Sequence, residues 1–353
     1  MGARNIEFGE GMLAKTLDML GEYVLVTMEE PWELLKREAT HQPREIIFNQ
    51  DMRIEHLEAI LKRDKPSAGH IVGFGGGTAC DTAKYLSWQW GIPLIIAPSI
   101  ISVDAWLCRS IAVRFEHRVR YIGDVEPKRL IVDYALVKAA PAFLNRAGIA
   151  DVISICTALG DWQFARDRFQ APFDQDVFDR AKRIADELIS RAYDIRAASN
   201  AGIRALVDGQ AAEVELCEEW GNARPEEGGE HFLAYCLEDI THDHYIHGNL
   251  IALNTLVVLK LQREHAVYDY RTLQAFFDTI GIRYDPGNQG IRREHYRVAL
   301  EAVHNYVQKE NLFPGLWSLP EVFEAHGEYS IEGILDWIYA FYDRKEEERC
   351  KHR

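Results

Sequence analysis

The sequence predicts an α/β half built on a parallel sheet, followed by an all-helical half. Three observations carry this. Short apolar, β-rich runs alternate with helical stretches as far as Asp133, the pattern of strands joined by crossover helices. From about Ala147 strand signals nearly vanish and helical periodicity takes over. At 353 residues the chain is also longer than one core usually supports. Two domains are therefore expected, residues 1–148 and residues 149–353.

In the first half, Tyr23-Val-Leu-Val-Thr27 reads as a strand and Pro31 to Glu38 as a helix. Glu45-Ile-Ile-Phe48 is strand-like again, followed by helix from Ile54 to Arg63. The apolar pair Ile71-Val72 runs into Gly73-Phe-Gly-Gly-Gly-Thr-Ala-Cys-Asp-Thr-Ala-Lys84, with helix expected from Thr82 to Trp90. Pro93 to Pro98 is a buried strand, Arg109 to Ile122 alternates like a hairpin, and Lys128 to Asp133 adds one more strand. In the second half, helical periodicity covers Phe173 to Tyr193, Asn200 to Trp220, Glu230 to Ile240, His247 to Gln262 and Arg292 to Gln308. The charge run from Asp343 to Arg353 reads as a solvated, fraying helix end.

Composition narrows the class. With 47% hydrophobic and 27% charged residues the chain is that of a soluble globular protein. No apolar run approaches the ~20 residues of a membrane helix, so no membrane span is expected. A net charge of -15 argues against nucleic acid as a partner, because phosphate backbones demand a basic surface. The first residues lack the apolar core of a secretory signal, and six scattered cysteines form no C-x-x-C pair. Reduced thiols and a cytoplasmic setting are expected.

Chemistry concentrates in two places. Gly75, Gly76 and Gly77 follow a strand and precede a helix, where backbone N–H groups can approach a phosphate without Cβ interference. Ligands of parallel sheets collect at such carboxyl ends of strands. The loop is neither G-x-G-x-x-G nor a Walker loop. Asp81 and Lys84 follow on one helix face. Lys84 either faces a ligand or is a surface cation; Ser99, after Pro98, either touches a ligand or makes a turn. The second place is Glu230-His231 with His242-Asp243-His244-Tyr245-Ile246-His247. His231 and His247 begin successive helices whose short connection can bring the rings together. Two imidazoles and a carboxylate make a divalent-metal set with room for substrate, and Asp151 supplies a carboxylate. His244 is either a proton-relay group or a solvated loop histidine.

Taken together, Gly75-Gly76-Gly77-x-x-x-Asp81-x-x-Lys84, Ser102-Val103-Asp104-Ala105, Ala147-Gly148-Ile149-Ala150-Asp151, and Glu230-His231 followed by His247-Gly248 resemble the metal-dependent polyol dehydrogenases. These form the glycerol dehydrogenase and sn-glycerol-1-phosphate dehydrogenase branch of the iron-containing alcohol dehydrogenase superfamily, which also includes dehydroquinate synthase. The resemblance implies a Rossmann-like N-terminal dinucleotide-binding domain and a C-terminal all-helical domain for metal and substrate. Asp151, His231 and His247 fall on its metal-ligand positions and Asp104 on its substrate-side aspartate. Gly75, Gly76 and Gly77 fall on its cofactor-phosphate loop, with Asp81 and Ser99 beside it as cofactor contacts. Lys84, Asp104 and His244 are the candidate catalytic groups.

The implied cofactors are NAD or NADP and one divalent metal, zinc ahead of iron. Glu29 lies where the adenosine ribose falls in this fold, and an acid there favours the free 2′-hydroxyl of NAD; a solvated helix-start glutamate fits as well. The implied substrate is a small polyol or ketone, with or without a phosphate, such as dihydroxyacetone phosphate or dihydroxyacetone. Arg109, Arg114, Arg118 and Arg120 are cations available to a phosphate. A homo-oligomer is compatible with the family. The alternative is a dehydroquinate synthase-like lyase, whose Gly-Gly-Lys continuation after Val-Asp is replaced here by Ala105-Trp106-Leu107.

Overall fold

The structure is a computed structural model and describes residues 4–115 and 118–351; the side chains of Arg118 and of residues 342–351 also lie outside the description. The chain divides into two compact units, Met1–Asn145 and Arg146–Arg353.

The first unit runs β1 (Ile6–Gly9), α1 (Met12–Met19), β2 (Tyr23–Thr27), α2 (Glu29–Leu35), β3 (Glu45–Phe48), α3 (Ile54–Leu61), β4 (His70–Gly75), α4 (Gly77–Trp90) and β5 (Leu94–Pro98). It continues through β6 (Ser110–Phe115), β7 (Arg118–Asp124), β8 (Arg129–Asp133) and α5 (Tyr134–Ala139). Six strands form one sheet in the order β1-β8-β5-β4-β2-β3, with every pairing parallel. The strands β6 and β7 make a separate antiparallel hairpin, as their alternation predicts.

Both β2 and β5 are buried along their whole length, as expected for parallel strands covered on both faces. One face gathers Tyr23, Leu25, Val72, Phe74, Ile95, Ala97 and Ile131 against Leu13 and Leu17 of α1 and Leu35 of α2. On the other, α4 approaches so closely that a Cβ on Gly73 would lie 2.7 Å from that of Ala83. From β2 the chain moves outward to the edge strand β3, whereas from β4 it moves the opposite way to β5. That reversal is the switch point where parallel sheets bind ligands. Its two strands pair through Thr27 and Phe74, so Glu29 and the glycine loop both follow the switch point.

The sequence reading missed β1 and α1. A four-residue strand has no pattern of its own; β1 exists through pairing with β8, where Arg129 grips Glu7 with bonds of 2.6 and 2.7 Å. It also started α4 at Thr82, whereas the helix begins at Gly77, because glycines read as loop by propensity.

The second unit is helical. At its start stand α6 (Ala142–Ala147), which straddles the division, α7 (Ile149–Ile153) and α8 (Ile155–Phe169), then α9 (Gln175–Ser190), α10 (Ala192–Arg196) and α11 (Asn200–Trp220). These lead to α12 (Gly229–Thr241), α13 (His247–Gln262), α14 (Tyr270–Ile280), α15 (Arg293–Lys309) and α16 (Ile331–Lys351). Every residue of α13 after His247 is buried, which makes it the central helix. The stretch Ala142–Phe169 is long and apolar enough to span a membrane by composition, but 78% of its most apolar window is buried. It is divided into three helices and is buried on every face from Ala147 to Asp161, so it showed no amphipathic period to the sequence reading. The terminal charge run is helical as far as Lys351, and its last two residues lie outside the described residues.

Candidate functional site

In the second unit, three residues far apart in sequence converge. Asp151 stands on the short helix α7, which breaks from α8 at Ser154. His231 is in the first turn of α12, and His247 opens α13. A Cβ on Gly248 would fall 1.9 Å from the Ala147 carbonyl oxygen, so only glycine lets α13 start this close to the turn before α7. As a result His247 Nε2 lies 3.1 Å and His231 Nε2 3.7 Å from Asp151 Oδ1, with the imidazole centroids 5.3 Å apart. One ligand atom from each residue lies within 4.8 Å of the others.

The surrounding groups fix these orientations. Glu230 is fully buried; its Oε1 accepts from His231 Nδ1 (2.8 Å) and from the Gly228 amide (2.9 Å), and its Oε2 from the Thr157 hydroxyl. With Nδ1 so engaged, Nε2 of His231 is left facing Asp151. Asn254 Nδ2 donates to the Glu230 carbonyl at 2.9 Å, tying α12 to α13. The Gly229 amide donates to Asp161 Oδ2 at 2.8 Å, and Trp317 Nε1 donates to the Gly229 carbonyl at 2.7 Å. Burial pushes the Asp161 carboxyl up to about 6, against the opposing pull of Arg224.

Burial alone would raise the Asp151 carboxyl, but the neighbouring His247 and His231 outweigh it and hold it below the ordinary value. Burial would lower the His231 imidazole, yet Asp151, Glu230 and Glu226 together raise it well above the usual range. Such a pocket attracts positive charge, and a divalent cation would displace the proton. Asp151 Oδ1 is buried without an aligned hydrogen-bond donor. An oxygen of that kind beside two imidazole nitrogens fits a divalent cation of zinc or iron type. His247 keeps a third of its side chain, 33%, exposed, so the site is open on one side.

In the first unit, Gly75 ends β4, Gly76 is extended, and Gly77 opens α4. A Cβ on Gly75 would meet that of Ala79 at 2.5 Å, so the tight strand-to-helix turn requires glycine. No side chain caps α4, which leaves its first N–H groups available at the helix mouth, an arrangement suited to an anion. Ser99 is buried, and its amide donates to the Gly75 carbonyl at 2.9 Å, bracing the loop. Glu29 is the exposed first residue of α2.

Other expected residues sit differently. Lys84 is fully buried; its ammonium reaches the carbonyls of Ala105 (2.9 Å), Cys108 (3.1 Å) and Ser110 (2.7 Å) and pairs with Asp81. Asp81 is equally buried and also accepts from the Ala112 amide at 3.3 Å. This pair clamps the segment after Asp104 onto α4 rather than presenting itself to cofactor or substrate, because every Lys84 proton is already committed. Asp104 is partly buried, with Cys108 Sγ 3.1 Å from its Oδ2. His244 is exposed on the loop between α12 and α13, outside the converging trio. Of the candidate phosphate cations, Arg109 pairs with Asp124 at 3.0 Å, and the Arg118 side chain lies outside the described residues. The sequence reading missed Thr157, Asp161 and Glu226; none shares a local pattern with a ligand, and only the packing of α8 and the loop before α12 brings them near.

The family model for iron-containing alcohol dehydrogenase matches residues 15–141. The glycerol-1-phosphate dehydrogenase (NAD(P)+) of Thermoplasma volcanium is 26% identical over 315 residues, spanning 85% of this chain and 88% of that one. Among solved structures, a probable glycerol dehydrogenase from Sinorhizobium meliloti 1021 aligns with a TM-score of 0.69 at 20% identity, over 97% of this chain and 98% of that one. Glycerol dehydrogenase from Schizosaccharomyces pombe aligns with a TM-score of 0.68 at 16% identity, over 98% and 91%. The chain thus matches the iron-containing alcohol dehydrogenase family over most of its parallel-sheet unit, and it shares the fold of solved glycerol dehydrogenases over nearly its whole length.

Proposed function

We propose that this chain is a metal-dependent NAD(P)-linked polyol dehydrogenase that moves a hydride between nicotinamide and a small ketone or its alcohol. The observation that carries the reading is the convergence of Asp151, His231 and His247. A divalent ion held there would supply Lewis acidity to a substrate oxygen, and the nicotinamide would supply or take the hydride.

The chain's own residues do the rest. Asp151 contributes the charge and the two histidines the neutral nitrogens of the donor set, zinc being favoured by that set. Glu230 keeps the proton of His231 on Nδ1, so that Nε2 stays available as a donor. The uncapped N-terminus of α4, with Gly75, Gly76 and Gly77, would receive the dinucleotide pyrophosphate. Glu29 would accept from a ribose 2′-hydroxyl and repel a 2′-phosphate, which favours NAD. Asp104 would hold a second substrate hydroxyl, and the clamp of Lys84 on the following segment would keep it in place. The activity named for the Thermoplasma volcanium relative supports dihydroxyacetone phosphate and glycerol-1-phosphate as the lead pair, ahead of dihydroxyacetone and glycerol.

The test is a panel of dihydroxyacetone phosphate, dihydroxyacetone and glycolaldehyde, each with NADH and with NADPH, on metal-replete protein. Consumption of reduced nicotinamide with a ketone, fastest with dihydroxyacetone phosphate and NADH, is expected. Absence of nicotinamide turnover with every ketone would contradict the reading.

A further inference from the structure

We propose that Glu226 is a fourth metal ligand, so that the cation is held by two imidazoles and two carboxylates; this rests on the metal centre proposed above. Nδ1 of His231 is engaged with Glu230, which makes Nε2 the ligand atom, and Glu226 Oε1 lies 4.0 Å from that Nε2. The carboxylate therefore stands on the ligand side of the ring. Two donors that share a cation at about 2.0–2.2 Å each are separated by roughly 3–4 Å, so a small side-chain adjustment brings Glu226 into contact.

The backbone holds Glu226 there from both sides. Its amide donates to the Ala223 carbonyl at 3.0 Å, and its carbonyl accepts from the Ser154 hydroxyl at 2.8 Å. The same Ser154 hydroxyl touches the Asp151 carbonyl, so the loop before α12 is registered on the turn that carries the first carboxylate ligand. The next residue, Glu227, is turned away and bound by the Tyr235 hydroxyl. The Glu226 side chain is only 15% exposed, beside an imidazole that is itself buried. With Asp151 and Glu226 both ionised, the donor set balances the charge of a divalent ion.

The experiment is competition for zinc between a chelator and the full-length chain, with zinc stoichiometry and far-UV circular dichroism read on the same samples. Glu226→Gln keeps the shape and removes the charge, Glu226→Ala removes the group, and His247→Ala serves as the reference. Zinc affinity about 10–100-fold weaker in both Glu226 variants, with wild-type circular dichroism, is expected. Wild-type zinc affinity in both would overturn the assignment, and so would unchanged affinity with a displaced pH–rate profile, which would place Glu226 on the substrate. Loss of zinc in His247→Ala alongside full binding in the Glu226 variants refutes only the role of Glu226. Full binding in His247→Ala refutes the metal centre itself.

Discussion

Lys84 meets more acceptors than it has protons: three carbonyl oxygens within 3.1 Å and the carboxylate of Asp81. Burial raises the Asp81 carboxyl despite the opposing pull of the Lys84 ammonium. Removing one partner of such a buried pair strands the other, at a cost of about 3–5 kcal/mol. Lys84→Met is therefore expected to lower the thermal midpoint clearly, by differential scanning calorimetry, and to reduce turnover only as the Asp104 segment loosens. A variant that melts like the wild type yet has no turnover would mean that Lys84 does act on substrate. The sequence placed Asp81 and Lys84 on one helix face, which is right, but a three-residue spacing says nothing of whether that face points inward. The deciding carbonyls belong to a segment beyond the next strand. The trio of Asp151, His231 and His247 was named through the resemblance, since two histidines at helix starts have many structural uses. Glu230 stood in that pattern as a neighbour, and its hydrogen bond to Nδ1 appears only in three dimensions.

At the scale of elements, the metal centre depends on how α7, α12 and α13 meet. Two helices were readable nearly to the residue: Asn200–Trp220 coincides with α11, and α12 differs from its expected range by one residue at each end, whereas the amphipathic α14 was missed. The bounds of α13, His247–Gln262, were also readable, though every residue after His247 is buried. The stretch Ala142–Phe169 was not, because its central part, buried on every face, shows no period. Gly248 is where this packing is most exposed to test. A Cβ there would overlap the Ala147 carbonyl, at 1.9 Å, and push the start of α13 off the turn before α7. Gly248→Ala is expected to weaken zinc binding by ~10-fold or more, while far-UV circular dichroism keeps its helical signal. Unchanged affinity would show that His247 is not held by that close approach.

For the whole molecule, the sequence was enough to give the order of the halves and the parallel character of the sheet, because alternating strands and helices leave few topologies. It did not give the edge strand β1, which pairs with β8 from the opposite end of the first unit. The division of labour is physical: a parallel sheet presents a helix N-terminus for phosphate, and a bundle of long helices can bring distant side chains into one rigid donor set. The hydride transfer proposed above requires the metal centre to be real. The most direct measurement is the divalent-metal content of wild-type protein and of His247→Ala, purified alike and checked by far-UV circular dichroism. About one ion per chain is expected in the wild type, as for a single site, and none in a folded His247→Ala. Full metal content in His247→Ala would contradict it.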